Sequence, residues 1–369
     1  MSQFTEQDRI FMARAIQLAW KGLYTTDPNP RVGCVLVRDG TVIGEGYHVR
    51  AGEGHAEVNA LAQAGDARGA TAYVTLEPCS HYGRTPPCAK GLVDAGVRRV
   101  VAAMVDPNPE VAGRGLRILR DAGIEAHSGL LEAQARELNP GFLSRMEKQR
   151  PFIRVKLAMS ADGRTAMASG ESKWITGAAA RADVQQLRAR SSAVLTGVGS
   201  IIHDDSALTV RPEQLSDEVR AKIDNPRPLR VVLDSKLRTP PDARVTDGSA
   251  PTLICHAEVS DRPAATQSVS YLQVPQSDAG LDLQWLVQYL AQERGVNELL
   301  VETGAKLAGA FVEAGLVDEL WVYMAPKLMG SSARPLLDLP LETMAQAQQL
   351  KLKDLRQFGE DVRFIWQPN

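Results

Sequence analysis

His55-Ala56-Glu57 and, further on, Pro78-Cys79-Ser80-His81-Tyr82-Gly83-Arg84-Thr85-Pro86-Pro87-Cys88 are the stretches on which the reading of this chain turns. The triplet opens a helical run, Ala56–Ala64, and Pro78-Cys79 ends the buried strand-like run Ala72–Leu76. A neutral imidazole and two thiolates suit tetrahedral zinc and leave one position for water. Such water ionises near neutral pH and attacks an amidine-like ring carbon if a carboxylate moves the proton to the leaving amine. Glu57, two residues from His55, can do this without ligating the metal. The order is that of zinc deaminases, H-x-E then P-C-x-x-C, but with eight residues between Cys79 and Cys88 where the pattern has two. The intervening loop must therefore fold back. Taken singly, each element reads as a buried cysteine or an incidental histidine. Together and in order they point to a metal centre built from His55, Cys79 and Cys88, with Glu57 as proton carrier.

Around this stretch helix and strand patterns alternate. Residues 5–21 carry Ile10, Ala13, Ile16, Leu18 and Trp20 at helical spacing, and Gly22 closes them. Val32–Val37 and Thr41–Tyr47 are strand-like about Asp39-Gly40, a hairpin signal. Ala89–Ala95, Val97–Val105, Arg114–Ala122 and Ile124–His127 continue helix, strand, helix, strand. Alternation of this kind predicts a layered α/β sheet with helices on its faces.

With 369 residues the chain exceeds what one core usually supports. The charge-rich Arg145–Arg150 followed by Pro151 marks a boundary, giving domains 1–149 and 150–369. Beyond it lies a second α/β series. Strand-like runs stand at Phe152–Ala158, Ala193–Gly197, Leu229–Asp234, Thr252–Cys255, Glu298–Glu302 and Glu319–Met324. Helical patterns occupy 178–190, 282–293 and 305–314, and the Pro-bearing stretches 212–228 and 258–270 read as loops. A net charge of −2 gives no electrostatic footprint for nucleic acid. No apolar run is long enough to span a bilayer, and no export signal is visible, so a cytoplasmic protein is expected. Cys34 and Cys255 sit in apolar runs and read as small core residues.

Thr25-Thr26-Asp27-Pro28-Asn29-Pro30-Arg31-Val32-Gly33-Cys34, Gly44-Glu45-Gly46-Tyr47-His48, Thr75–His81, Gly83–Cys88 and Asp106-Pro107-Asn108-Pro109 resemble one family closely. It is the bifunctional deaminase–reductase family of riboflavin biosynthesis, and the resemblance runs through nearly the whole chain. It implies a cytidine-deaminase-like three-layer α/β domain followed by a dihydrofolate-reductase-like α/β domain. The first would hydrolyse the ring amine of a diaminopyrimidinone ribosylamino phosphate. The second would use NADPH to reduce the ribosyl group to ribityl. Asn29 is placed to hydrogen-bond the pyrimidine, and His48, His81 and Arg84 to reach the ring or the phosphate. Each reads equally as a loop-stabilising or solvated polar residue.

For the second half, physical reading alone finds two glycine turns after strands. They are Thr196-Gly197-Val198-Gly199-Ser200 and Val301-Glu302-Thr303-Gly304-Ala305-Lys306-Leu307, the latter opening a helix whose N–H groups favour anions. Neither is the dinucleotide fingerprint. Lys156–Arg164, Gly170–Thr176 and Asp204–Arg211 carry the resemblance here. It implies NADPH along Ala158, Trp174, Ser200, Asp204, Ser235 and the turn Gly304, Ala305, Lys306, Leu307, Ala308, Gly309 and Ala310. Substrate would meet Ser172, Arg188, Leu208, Arg211 and Glu302, with Lys156, Asp204 and Glu302 polarising or protonating the opened sugar. Trp174 reads either as a partner of the nicotinamide or as core. Thr303 stands where the family often has a small residue. A homo-oligomer, dimer or tetramer, is expected. The rival readings are a zinc deaminase of another nucleotide or of a tRNA base, and a zinc-binding regulatory module. The acidic balance and the cysteine spacing count against the tRNA reading, and Glu57 counts against the module.

Overall fold

The structure is a computed structural model and describes residues 3–80, 87–223, 227–261, 263–278 and 280–369. The chain divides into two compact units, Met1–Gln149 and Arg150–Asn369.

Unit one opens with α1 (Glu6–Ala19), fixed at its start by a capping box. The Thr5 hydroxyl accepts from the Asp8 N–H, and the Asp8 carboxylate accepts from the Thr5 N–H. Strands β1 (Gly33–Arg38) and β2 (Thr41–Tyr47) turn back at Asp39-Gly40, both in the left-handed region. Then come α2 (Ala56–Ala64), β3 (Thr71–Val74), α3 (Cys88–Asp94), β4 (Arg99–Ala102), α4 (Arg114–Asp121) and β5 (Glu125–Ser128). Two helices, α5 (Glu132–Leu138) and α6 (Pro140–Lys148), finish the unit.

The sheet order is β2-β1-β3-β4-β5, with β1 antiparallel to both neighbours and β3, β4 and β5 parallel. Alternation along β1 divides the core. Cys34 and Leu36 pack with Ala56, Ala60, Leu92 and Leu116, whereas Val35 and Val37 pack with Phe11, Met12, Ala15 and Leu143. Helices therefore cover both faces. Gly44 and Gly46 let α2 lie directly on β2, because a Cβ at either would come within 2.4 Å of the carbonyls of Ala60 or Ala56. That close approach sets the position of the N-terminus of α2.

Unit two begins with β6 (Phe152–Ser160), β7 (Arg164–Ala166), α7 (Ala178–Arg190), β8 (Ala193–Gly197) and α8 (Val198–Asp204). It continues with α9 (Asp217–Lys222), β9 (Leu229–Leu233), β10 (Thr252–His256), β11 (Val269–Gln273), β12 (Gln276–Ser277), β13 (Gly280–Leu281) and α10 (Leu283–Gln292). The last elements are β14 (Glu298–Glu302), α11 (Ala305–Glu313), β15 (Glu319–Ala325), β16 (Arg334–Pro335), β17 (Leu350–Phe358) and β18 (Asp361–Pro368). Nine strands form one sheet in the order β11-β10-β9-β8-β14-β6-β15-β18-β17. It is parallel from β11 to β15 and antiparallel at β18 and β17. Apolar clusters fill both faces.

Three assignments differ from the sequence reading. The stretch 212–228 contains a helix, α9, capped by the Ser216 hydroxyl. Residues 132–138 and 140–148 are helical, broken at Asn139, and the charged Arg145–Lys148 end α6. The hairpin β17–β18 was not read as strand, because the edge strand β17 mixes Leu with Lys and Asp and its register shifts between Leu352 and Asp354.

Candidate active site

His55 is the residue immediately before α2, and Glu57 lies in that helix's first turn. Cys88 is the first residue of α3, and Cys79 follows β3 in the loop leading toward it. The three ligand atoms lie within 4.8 Å of one another, the one such group among the described residues. The His55 Nδ1 is 3.2 Å from the Cys88 Sγ and 3.6 Å from the Cys79 Sγ. Ligands about 2.0 Å and 2.3 Å from a tetrahedral zinc stand about 3.6 Å apart, so the donor set and its spacing fit that ion. The Cys88 N–H donates to the Cys79 sulfur at 3.3 Å, and the Ala89 N–H to the Cys79 carbonyl at 3.2 Å. Hydrogen bonds from Cys88 and His55 hold the Cys79 thiol well below its ordinary range, toward the thiolate a metal requires. Glu57 is buried, and burial with the adjacent Cys79 charge pushes its carboxyl up to about 7.

His48 and Asn29 stand beside the cluster. The buried His48 ring meets His55 edge-on at 5.3 Å between centroids. Its Nδ1 lies 3.1 Å from the Gly54 carbonyl, which can only accept, so Nε2 is the acceptor for the Asn29 side-chain amide at 3.2 Å. Burial lowers the His48 pKa and keeps the ring neutral, consistent with that tautomer. His81 and Arg84 lie outside the described residues. Sequence reading missed Glu77. Its buried carboxylate accepts from the N–H groups of Asp106 (3.1 Å), Gly113 (2.9 Å) and Leu116 (3.1 Å), tying the start of α4 to the loop that carries Cys79. A lone glutamate beside Pro78 offered no signal of that role, since its partners are backbone groups from a distant segment.

In unit two a cavity of about 1860 Å³ opens at the C-terminal ends of the parallel strands. Lys156 and Ala158 reach it from β6, Gly197 from β8, Glu302 and Thr303 from the end of β14, and Gly304, Ala305, Lys306 and Leu307 from the start of α11. Ser172, Arg188, Ser200, Asp204, Leu208, Ser235 and Ala310 also line it. So does His203, to which the sequence reading gave no role. At one end Arg188 grips Glu302 through Nε (2.5 Å) and Nη2 (3.0 Å). Burial opposes ionisation of Glu302, but Arg188, Lys156 and Arg211 together hold its pKa down. Burial pushes the Lys156 ammonium down, against the pull of Glu302.

Four expected site residues stand off this wall. Ala308 belongs to the apolar core, and a Cβ on Gly309 would meet the Asp338 carbonyl at 2.0 Å, so both face inward from α11. Arg211 is held by its backbone N–H, which donates to the Gln185 side chain. Trp174 is 59% exposed, which rules out the core reading. The Arg181 guanidinium lies 4.6 Å above its ring.

Residues 5–104 match the cytidine and deoxycytidylate deaminase zinc-binding region, and residues 151–364 match the RibD C-terminal domain. The riboflavin biosynthesis protein RibD of Escherichia coli is 52% identical over 361 residues, covering 96% of this chain and 98% of that protein. The chain belongs to the RibD family. The Haemophilus influenzae RibD is 50% identical over 374 residues, covering 100% of this chain and 99% of its own. Among solved structures, Acinetobacter baumannii RibD superposes with a TM-score of 0.91 at 47% identity, covering 99% of each chain. A diaminohydroxyphosphoribosylaminopyrimidine deaminase/5-amino-6-(5-phosphoribosylamino)uracil reductase from Thermotoga maritima gives 0.86 at 32%, covering 98% of this chain and 99% of that one. The chain is thus a bifunctional RibD enzyme, with a zinc-dependent deaminase half and an NADPH-dependent reductase half.

Proposed function

We propose that unit one removes the ring amine of a phosphorylated diaminopyrimidinone and that unit two then reduces the ribosyl group of the product. The convergence of His55, Cys79 and Cys88 beside the buried Glu57 carries the first half of this reading. Those three residues would hold zinc, which would supply a water acidic enough to ionise near neutral pH. Glu57 takes the proton of the attacking water and returns it to the departing amine. His48, neutral and fixed by the Gly54 carbonyl and Asn29, presents a set tautomer beside the reacting ring.

In unit two bound NADPH would supply hydride chemistry. Gly304–Leu307, Ser200 and Ser235 would hold the cofactor, the helix N-terminus favouring its phosphates. The opened sugar carries a C=N bond. Its reduction to an amine would take a hydride at carbon and a proton at nitrogen. Lys156, Asp204 and Glu302 line this cavity and polarise or protonate the opened sugar, Lys156 as an ammonium with a proton to give and Glu302, kept ionised by Arg188, as an electrostatic partner. Substrate contact in unit two is assigned to Ser172, Arg188, Leu208 and Glu302 on the wall and, by resemblance, to Arg211; in unit one it is assigned to Asn29, His48, His81 and Arg84 on their side-chain chemistry.

Chelation of zinc tests the division of labour. Ammonia release is expected to cease, while NADPH oxidation on the pre-deaminated uracil form continues at the untreated rate. Loss of both together would contradict it. A homo-oligomer is further proposed, on the exposed Leu350, Leu352 and Leu355 along the edge strand β17. Light scattering should give a mass above 40.0 kDa. No helix among the described residues is long and apolar enough to cross a membrane, and a cytoplasmic location is proposed.

A further inference from the structure

The segment after α8 delivers Ser206 and Leu208 to the cavity wall. Leu208 is buried and sits at φ +55°, a left-handed conformation that is unfavourable for a non-glycine residue. Something outside the leucine must therefore hold it. Four contacts pin the surrounding backbone. The Asp205 carboxylate accepts from the Arg244 N–H at 2.9 Å. The Ala207 carbonyl accepts from Arg230 Nη1 at 3.3 Å. The Thr209 carbonyl accepts from Arg188 Nη1 at 2.8 Å. The Arg211 N–H donates to Gln185 Oε1 at 2.9 Å.

Arg188 itself lines the cavity, but Gln185 and Arg230 do not. Gln185 is buried on α7, two residues before the last turn that bears Arg188. Arg230 is wholly buried in β9. Besides Ala207 it donates to the carbonyls of Ala250 (2.7 Å) and Arg244 (3.1 Å), to Thr252 Oγ1 (2.9 Å), to Ser249 Oγ (3.2 Å) and to Asp247 Oδ1 (3.2 Å). One guanidinium thus joins segment 244–250 to the backbone beside Leu208. Two buried side chains that never reach the cavity hold the backbone on either side of Leu208.

We propose that Gln185 and Arg230 are positioning residues of the reductase: from behind the wall they set the conformation in which segment 205–211 presents Ser206 and Leu208 to the substrate. The proposal rests on the assignment of this segment to the substrate rather than to NADPH.

The test uses the full-length zinc enzyme, the pre-deaminated uracil substrate and NADPH. Gln185→Leu keeps the side chain's bulk and removes the acceptor. It is expected to raise KM for the uracil substrate about tenfold, the scale of one lost hydrogen bond, with KM for NADPH unchanged. Gln185→Glu retains an oxygen acceptor and is expected to restore most of that loss. Arg230→Lys, which cannot serve all six acceptors, should shift the same constant in the same direction. A purely structural role would lower kcat in proportion to the folded fraction and leave both KM values alone. That result, or an unchanged enzyme, overturns the proposal. Leu208→Ala separates the two layers. If it raises substrate KM and the Gln185 and Arg230 variants do not, the segment faces substrate but is not set from behind. If Leu208→Ala moves only the NADPH constant, the underlying assignment fails and the proposal with it.

Discussion

Glu57 is where burial and chemistry meet most closely. It is 3% exposed, and burial raises its carboxyl to about 7, so the group can hold a proton at the pH at which it must later release one. Glu57→Gln is expected to keep stoichiometric zinc, because the proposed ligands are His55, Cys79 and Cys88. Ammonia release should fall by roughly 10²–10⁴-fold, the usual contribution of a positioned acid–base group. Metal analysis beside an ammonia assay checks both. Full ammonia release with zinc retained would remove Glu57 from the mechanism. That His55, Cys79 and Cys88 would come together, with Glu57 two residues on from His55, was legible from order and residue type alone. The ion pair of Arg188 with Glu302 was not derivable from spacing, because 114 residues separate the partners and only the fold joins them. Nor was the inward turn of Ala308 and Gly309 visible, since every residue of a helix start looks alike in sequence while only one side of it faces the cavity.

Among the elements, α1 shows how one buried carboxylate fastens a helix to the sheet. Asp8 caps α1, accepts from the Tyr73 hydroxyl at 2.7 Å on β3, and pairs with Arg99 at 2.6 Å on β4. Burial works to raise its pKa, but these hydrogen bonds outweigh it and hold the carboxyl well below the carboxylate range. The folded pKa is depressed, so the unfolded chain binds the proton more readily. Its stabilising contribution is full above the unfolded value near about 4 and is lost as pH falls toward the folded one. Asp8→Asn should therefore destabilise unit one by about 2 kcal/mol at pH 7. Denaturant unfolding should show the gap to the parent closing below about pH 4. A gap that stays constant to pH 3 would mean that the charge is not the source.

Glu77 plays the matching part for α4. Glu77→Ala strands three N–H groups, and should cost about 2–3 kcal/mol and weaken zinc retention in a competitive chelator titration. Elements with a clear period, such as α2 and α7, were read at their observed bounds. The hairpin β17–β18 was not, because an edge strand with a register shift lacks the clean alternation that a covered strand keeps.

At the scale of the molecule, the chain joins two α/β units whose chemistries are consecutive, since deamination of the ring yields the pyrimidine on which the reductase acts. Composition and the charged run before Pro151 located the division, whereas neither half's ligand geometry was visible until the strands were ordered. Neighbours in the second sheet come from distant parts of the chain, as β6 between β14 and β15 shows. That ordering brings Lys156, Glu302 and Arg188 to one end of the cavity. The decisive measurement is NADPH oxidation by the zinc enzyme and by Glu57→Ala, each given the diaminopyrimidinone substrate or its pre-deaminated uracil form. The parent enzyme should oxidise NADPH with both, and Glu57→Ala only with the uracil form. Oxidation of NADPH by Glu57→Ala on the diaminopyrimidinone at the parent rate would contradict deamination first and reduction second on this chain.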